Sequence, residues 1–245
     1  MSDICIKNFT CGYGDKSIFQ DFDIRFDEDK INVVLGGSGV GKTTLLNAIA
    51  GIKDYAGDID GADGGVSYIF QKDRLIPSIS VYKNLDLILR AVYKDKNNRK
   101  KMIEEMAKLV EIEDVLHSLA SEISGGQAQR VAMARAFLYP SKVLLLDEPF
   151  KALDVALKSR LISLLLRLND VEKRTVIFVT HSVDECLLCA DRYFVLGGSP
   201  VSVACEGRID IPQSERELQD IRLESERCKL LDTLTEKNSK QNNAN

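Results

Sequence analysis

The order of apolar and polar residues predicts a chain in which strands and helices alternate. Near the start, apolar residues alternate with polar ones at 4–6 and at 22–26, as they do in half-buried antiparallel strands. Further along, several short segments are mostly apolar and predict buried strands. These segments are 31–35, 66–70, 143–146 and 175–179. A glycine pair between two further apolar segments then predicts a closing hairpin over about 193–205.

The middle of the chain has the periodicity of helices instead. Apolar residues recur there at spacings of three and four, which places them on one face of a helix. The first such set is Val81, Leu85, Ile88, Leu89 and Val92. We therefore expect an α/β fold with a parallel sheet, an N-terminal antiparallel β part, and an inserted α-helical subdomain at about 72–140. The basic run 94–101 is predicted to be a loop, and the glycine-rich segment 57–65 a loop or hairpin.

The C-terminal part is predicted to end the domain with one more helix. An amphipathic pattern extends over about 215–234, and the remaining residues are polar without an apolar face. The sequence thus predicts a single domain over 1–235 and a disordered tail over 236–245.

Composition narrows the possible partners. The net charge is −4 and the pI is near 5.4, whereas a nucleic-acid surface usually has a basic excess. No apolar run has the length of a membrane span and the first residues lack a basic and then apolar leader, so we expect a cytosolic chain. Of the six cysteines, Cys186 and Cys189 have the spacing of a metal site, but this spacing on an apolar helix is more often core packing.

The stretch that organises the chain is a glycine-rich turn between a predicted strand and a predicted helix. It fits the pattern G-x-x-x-x-G-K-[ST] at every defined position. Its residues are Gly36, Gly37, Ser38, Gly39, Val40, Gly41, Lys42 and Thr43, with Thr44 following. Glycines let backbone N–H groups point inward, and the helix end adds partial positive charge, so the turn can hold phosphates. Lys42 supplies a charge for the β- and γ-phosphates, and the Thr43 hydroxyl is placed to bind Mg²⁺.

A second group of site residues follows an apolar strand. Asp147 and Glu148 come directly after 143–146. A carboxylate at the C-terminal end of a buried strand faces the crevice where α/β sheets bind ligands. Asp147 can hold Mg²⁺ opposite Thr43. Glu148 can reach a water in line with the γ-phosphate and act as the general base.

The third element is a second helix end suited to an anion. Ser124 precedes Gly125, Gly126 and Gln127, and a helix is predicted from Ala128 to Leu138. Ser124 would be the N-cap, and the two glycines leave N–H groups available to an anion. The chain therefore has two predicted phosphate-binding helix ends, and this combination limits the protein families to which it can belong.

These three elements and the helical insertion resemble the ATPase subunits of ABC transporters, over about the first 210 residues. The resemblance implies further roles for single positions. Tyr13 matches the aromatic that stacks on adenine, and His181 matches the histidine that contacts the γ-phosphate. Gln71 matches the glutamine that senses Mg²⁺ and the membrane partner, and Asp154 matches the loop that crosses the dimer interface.

The resemblance also implies how such a subunit works. We expect a Mg²⁺-dependent ATPase that dimerises around two ATP molecules, each between the glycine-rich loop of one copy and Ser124–Gly126 of the other. The catalytic residues would be Lys42, Glu148 and His181. Partners would be integral-membrane permease subunits and an extracytoplasmic substrate-binding protein, with no nucleic acid. The chain would lie on the cytoplasmic face of the membrane.

The segments 70–77 and 147–150 resemble the nitrate, sulfonate and taurine importer branch most closely. The chain departs from that branch at Ser78, where a tryptophan is usual, and at Lys151, where a small residue is usual. Lys151 is either a solvated side chain or a contact to the opposite copy. Relatives that handle thiamine precursors, an exporter-type motor, and a soluble ABC ATPase remain alternative readings.

Overall fold

The computed structural model describes residues 2–14, 16–151 and 153–242, with side chains described as far as residue 235. The strands are β1 Ile4–Tyr13, β2 Lys16–Phe26, β3 Ile31–Gly36, β4 Ala56–Asp60, β5 Val66–Ile69, β6 Val143–Asp147, β7 Thr175–Thr180, β8 Arg192–Gly197 and β9 Ser202–Arg208. The helices are α1 Lys42–Ile49, α2 Val81–Arg90, α3 Lys96–Val110, α4 Gly125–Leu138, α5 Val155–Glu172, α6 Val183–Cys189 and α7 Glu224–Asn242. Within these ranges, no helix combines the length and the apolar character needed to cross a membrane.

The chain divides into two compact units. The core unit comprises the described residues of 1–66, 142–148 and 173–245, and the helical unit comprises those of 67–141 and 149–172. The helical insertion predicted at about 72–140 therefore forms a unit together with α5, which follows β6 in the chain. The periodicity of α5 resembled that of any core helix, so the sequence did not indicate this grouping.

The core unit contains an antiparallel sheet in the order β2-β1-β4. Ile4 lies opposite Phe26 and Ile6 opposite Ile24, which confirms the alternation seen in the sequence. Residues 56–60 form β4 and pair with β1, so the first part of the segment predicted as a loop or hairpin is a strand. Backbone hydrogen bonds to β1 stabilise this strand although its side chains lack an alternating apolar pattern.

The second sheet of the core unit is mainly parallel. Its strands within this unit lie in the order β6-β7-β3-β8-β9, and β9 alone among these five runs antiparallel to its neighbour. All residues of β3, β6 and β7 are buried. Parallel neighbours end at the same edge, so the residues that follow β3, β6 and β7 are brought to one side of the sheet. The predicted fold class is confirmed.

The helical unit consists of α2, α3, α4 and α5 with β5 at its start. Its centre is apolar and includes Leu85, Ile103 and Val131, each fully buried. α3 begins at Lys96, where the Asp95 side chain accepts a hydrogen bond from the Asn97 N–H at 2.9 Å. The prediction of a loop over 94–101 was therefore wrong for most of that run. The first turns of α3 carry exposed lysines, so this part of the sequence resembles a solvated loop.

The C-terminal helix differs from its predicted bounds. Two short 3-10 turns at Gln213–Glu215 and Ile221–Leu223 precede α7, which begins at Glu224 rather than near 215. Its backbone is helical to Asn242, where the sequence predicted a disordered tail from 236, and residues 243–245 lie outside the described residues. An existing helix adds further turns without an apolar face because each added residue completes one more backbone hydrogen bond.

Candidate nucleotide site

The glycine-rich loop has a backbone that glycine alone permits. Gly39 has a φ of +78° and Gly41 a φ of +112°, which L side chains rarely adopt. A Cβ on Gly41 would lie 2.7 Å from Ile18 Cγ2 and 2.9 Å from Phe19 Cε2, both on β2. A Cβ on Gly36 would lie 2.8 Å from Val40 Cγ1, so close packing favours glycine at two positions of the pattern, and the dihedral angle favours it at two. α1 begins at once, with its first N–H groups directed into the loop.

Lys42 is buried inside this loop. Its Nζ donates to the carbonyls of Gly36 at 2.8 Å and Gly37 at 3.0 Å. The same ammonium lies 3.7 Å from the Glu148 carboxylate, with only 5% of the lysine side chain exposed. A full positive charge is therefore held where the loop would receive a phosphate.

Thr43 and Asp147 meet although they are far apart in sequence. The Thr43 hydroxyl donates to Asp147 Oδ1 at 2.9 Å. A hydroxyl and a carboxylate are hard oxygen ligands, which suit Mg²⁺ when phosphate oxygens and waters complete its coordination. These two oxygens would suit a cation that a bound nucleotide also ligates.

Glu148 and His181 form the opposite side of the core-unit site. The Glu148 N–H donates to the Val179 carbonyl of β7 at 3.0 Å, and this residue has a positive φ of +45°. That unusual backbone conformation directs the Glu148 carboxylate to within 3.4 Å of His181 Nδ1. The His181 side chain is 53% exposed and Glu148 only 13%, so the histidine is accessible to a ligand while the carboxylate is shielded.

Tyr13 is the last residue of β1. Its side chain is 55% exposed, and the Lys53 ammonium lies 4.3 Å from the centre of its ring. An exposed ring that already binds a cation is rich in electrons and available for stacking. This position stays a predicted contact for adenine.

The helical unit carries the second predicted anion site. Ser124 caps α4, as predicted: its hydroxyl accepts from the Gln127 N–H at 3.3 Å, while Gln127 Oε1 accepts from the Ser124 N–H at 2.9 Å. The helix begins at Gly125 rather than at Ala128, because this reciprocal cap fixes the first turn. A Cβ on Gly126 would lie 3.0 Å from Leu157 Cδ2 on α5, so that position also favours glycine.

Gln71 and Asp154 lie in the helical unit as well. Gln71 is exposed just after β5. The Asp154 carboxylate accepts a hydrogen bond from the Leu157 N–H at 3.0 Å and so caps the start of α5. This local role was not anticipated from the sequence. Lys151, where the chain departs from the importer branch, is exposed.

The structure thus brings five of the predicted residues together in the core unit: Lys42, Thr43, Asp147, Glu148 and His181. The model for ABC transporters matches residues 19–151, which is more than half of the chain and includes the loop and both carboxylates. The chain belongs to the ABC transporter family. ATP-binding subunits of this family are ATPases coupled to transport, and the chain is one of them.

Two relatives of this ABC subunit are import proteins. The aliphatic sulfonates import ATP-binding protein SsuB 1 of Xanthomonas axonopodis pv. citri (strain 306) is 36% identical over 232 residues, which cover 91% of this chain and 92% of SsuB 1. The maltose/maltodextrin import ATP-binding protein MalK of Vibrio vulnificus (strain YJ016) is 35% identical over 213 residues. That match covers 82% of this chain but 57% of MalK, so the chain spans little more than half the length of that relative.

A solved ABC cassette has the same fold. The dimeric structure of a post-hydrolysis state of the ATP-binding cassette MJ0796, bound to ADP and Pi, matches this subunit with a TM-score of 0.73 and 27% identity. The match covers 84% of this chain and 98% of the MJ0796 chain.

Two cysteines of the ABC subunit, Cys186 and Cys189, serve packing. Cys186 and Cys189 are fully buried on α6, and burial raises the pKa of both thiols. A buried thiol with a raised pKa is unreactive at neutral pH.

Sequence reasoning missed the polar residues that hold the loop after Gln71. Arg135 and Asn84 both donate to backbone carbonyls of that loop. In the sequence, each occupies one position of an otherwise apolar helical pattern, so neither the periodicity nor a motif marked it. The signal was the presence of a polar residue inside an apolar stretch, which predicts a buried hydrogen-bonding role.

Proposed function

We propose that this chain is the Mg²⁺-dependent ATP-hydrolysing motor subunit of an importer, and that its substrate is a small oxyanion of the aliphatic sulfonate type. The observation that carries the proposal is the core-unit cluster, in which a buried lysine, a hydroxyl and two carboxylates surround the glycine-rich loop. This combination suits a phosphate chain with its cation better than any other ligand class.

The loop and Lys42 bind the phosphates. The ammonium can transfer from the Gly36 and Gly37 carbonyls to phosphate oxygens by a small movement of a flexible side chain. Thr43 and Asp147 would hold Mg²⁺, which would neutralise charge on the β- and γ-phosphates. Tyr13 would stack on the adenine.

Glu148 is the proposed general base. Its carboxylate accepts the proton of the attacking water. Because this carboxylate is shielded from solvent, it has little contact with bulk water. His181 lies within 3.4 Å of that carboxylate and is sufficiently exposed to contact the γ-phosphate at the same time. It would hold the phosphate and the base in one geometry.

Two copies would assemble around two ATP molecules. Ser124, Gly125, Gly126 and Gln127 would bind the γ-phosphate of the nucleotide held by the other copy, with Asp154 at the interface. The capped start of α4 presents N–H groups and the positive end of a helix dipole, which favour an anion there. The dimeric cassette MJ0796 with ADP and Pi supports this arrangement.

The import direction and the substrate class are supported by the relatives. Two import proteins match at 35–36% identity, and the sulfonate relative matches over nearly its whole length. The proposed partners are two permease subunits and an extracytoplasmic substrate-binding protein, and the proposed location is the cytoplasmic face of the membrane. We propose that 1–235 forms one functional domain.

Uptake in cells tests this function directly. In a strain deleted for the chain, uptake of radiolabelled taurine and of an alkanesulfonate is measured after complementation with the wild type or with Glu148→Gln. We expect the wild type to restore sulfonate uptake and Glu148→Gln to fail, at equal protein levels. Restoration by both would contradict an ATP-driven role, and failure of the wild type to restore uptake would contradict import of sulfonates.

A further inference from the structure

We propose that Arg135 is a positioning residue that ties the Gln71 loop, residues 71–79, to the helix whose N-terminus binds the nucleotide of the opposite copy. The inference rests on the proposed function. It assigns to Arg135 the transmission of movement between the two ends of the helical unit.

The contact itself is strong and lies wholly within the helical unit. Arg135 projects from α4 and donates through Nη1 to the Arg74 carbonyl at 2.9 Å and through Nη2 to the Asp73 carbonyl at 2.7 Å. Hydrogen bonds from a charged donor are stronger than neutral ones, and the planar guanidinium fixes direction as well as distance. Burial lowers the pKa of Arg135.

A different side chain fixes the part of the loop that follows residues 73–74. Asn84 of α2 accepts from the Ile76 N–H at 2.8 Å and donates to the Ile76 carbonyl at 3.1 Å, which fixes the following part of the loop. Among the described residues, the buried Asp73 Oδ1 has no hydrogen-bond partner. Arg74 has a positive φ of +47°, which a non-glycine residue adopts at a cost. Such a conformation persists only when neighbours impose it.

The two ends of α4 move together because a helix is stiff. α4 comprises 14 residues, and Arg135 lies about 15 Å along the axis from Gly125 at 1.5 Å per residue. A phosphate bound at the Ser124 cap therefore displaces Arg135 as it displaces the cap. Arg135 in turn displaces the Asp73 carbonyl, two residues from Gln71. Nucleotide binding by one copy is thus communicated to the loop of the other copy without any new contact.

The chain offers a clean reporter for this movement, because it contains no tryptophan. Ser78 is exposed in the Gln71 loop, so Ser78→Trp places one indole there. The experiment uses the full chain with Glu148→Gln, so that ATP is bound but not consumed, and follows indole emission on addition of Mg-ATP. Dimer formation is measured on the same samples by size-exclusion chromatography, and ATP affinity by calorimetry.

The matched control lies on the same helix. Arg130 of α4 also donates to a backbone carbonyl, that of Val110 at 3.1 Å, but it does not contact the Gln71 loop. We expect Arg135→Ala to reduce the ATP-induced change in emission by at least about fivefold, because two charge-assisted hydrogen bonds are lost. Arg130→Ala should leave that change intact. A purely structural role for Arg135 would instead alter melting temperature and ATP affinity in parallel with the emission.

The outcomes separate this proposal from the proposed function. An Arg135→Ala protein that retains the emission change overturns the proposal, as does a background protein that forms the ATP dimer without any change in emission. Absence of an ATP-dependent dimer in the background protein contradicts the proposed function and this proposal with it. If Arg135→Ala fails to fold, Arg135→Lys is compared instead. Its compact ammonium lacks the planar fork, so we expect about a twofold reduction, and an undiminished change overturns the proposal.

Discussion

Replacement of Glu148 by glutamine tests the centre of the site. Glu148→Gln keeps the size and the positive-φ backbone of the residue but removes its ability to accept a proton. We expect turnover to fall by about 10²–10⁴, which corresponds to an increase of about 3–5 kcal/mol in the activation barrier. Phosphate release from Mg-ATP measures this loss.

The structure also predicts the effect of this change on binding. The Lys42 ammonium lies 3.7 Å from the Glu148 carboxylate, and at an effective dielectric constant of about 20 their attraction is about 4 kcal/mol before desolvation. Glu148 therefore competes with phosphate for Lys42. Since glutamine is neutral, ATP should bind Glu148→Gln at least as tightly as the wild type, and the ATP dimer should accumulate.

Calorimetry gives the affinity, and size-exclusion chromatography detects the dimer. The matched control is Glu206→Gln. Glu206 lies on β9, and its carboxylate is ion-paired with Arg192 at 3.0 Å, so this variant also neutralises an ion-paired carboxylate and should leave turnover unchanged. Turnover at the wild-type rate in Glu148→Gln would mean that another residue is the base. A tenfold loss of ATP affinity would mean that Glu148 acts in binding instead.

Two further predictions concern charge. Lys42→Ala should weaken ATP binding by about one to two decades, because a charge-assisted contact contributes about 1.5–3 kcal/mol. Equal ATP affinities of the wild type and the variant in calorimetry would contradict phosphate binding by the glycine-rich loop. Asp86→Asn should lower the free energy of unfolding by about 3–5 kcal/mol at neutral pH, because the buried Arg99, 2.7 Å from the Asp86 carboxylate, loses its charged partner. In the control, Arg90→Ala removes the exposed partner of Asp86 and should lower the free energy of unfolding by under about 1 kcal/mol. Burial opposes ionisation of Asp86, but hydrogen bonds from Arg99 and Arg90 prevail and lower its pKa, so its stabilisation holds above the unfolded value of about 4 and disappears as pH falls through the lower folded value. Urea unfolding between neutral and acid pH should therefore show the wild type and Asp86→Asn converging, and a constant difference would contradict this assignment.

Local features of the sequence determined much of this protein. The glycine-rich loop was predictable because its geometry depends on dihedral freedom and on the helix that follows at once. The Ser124 cap was predictable because its bonds span three residues. The buried strands were predictable because an apolar run of that length has few other stable environments.

Contacts between distant parts of the chain decided the rest. Thr43 and Asp147 are 104 residues apart and meet because β3, β7 and β6 are neighbours in the parallel sheet. β4 is a strand because β1 pairs with it, although its own side chains do not alternate. The two hydrogen bonds from Arg135 join residues that are 61 and 62 positions apart in the sequence. Strand order and buried polar pairs depend on hydrogen bonds between segments that are distant in the sequence. The periodicity of one segment therefore does not predict which segment it pairs with.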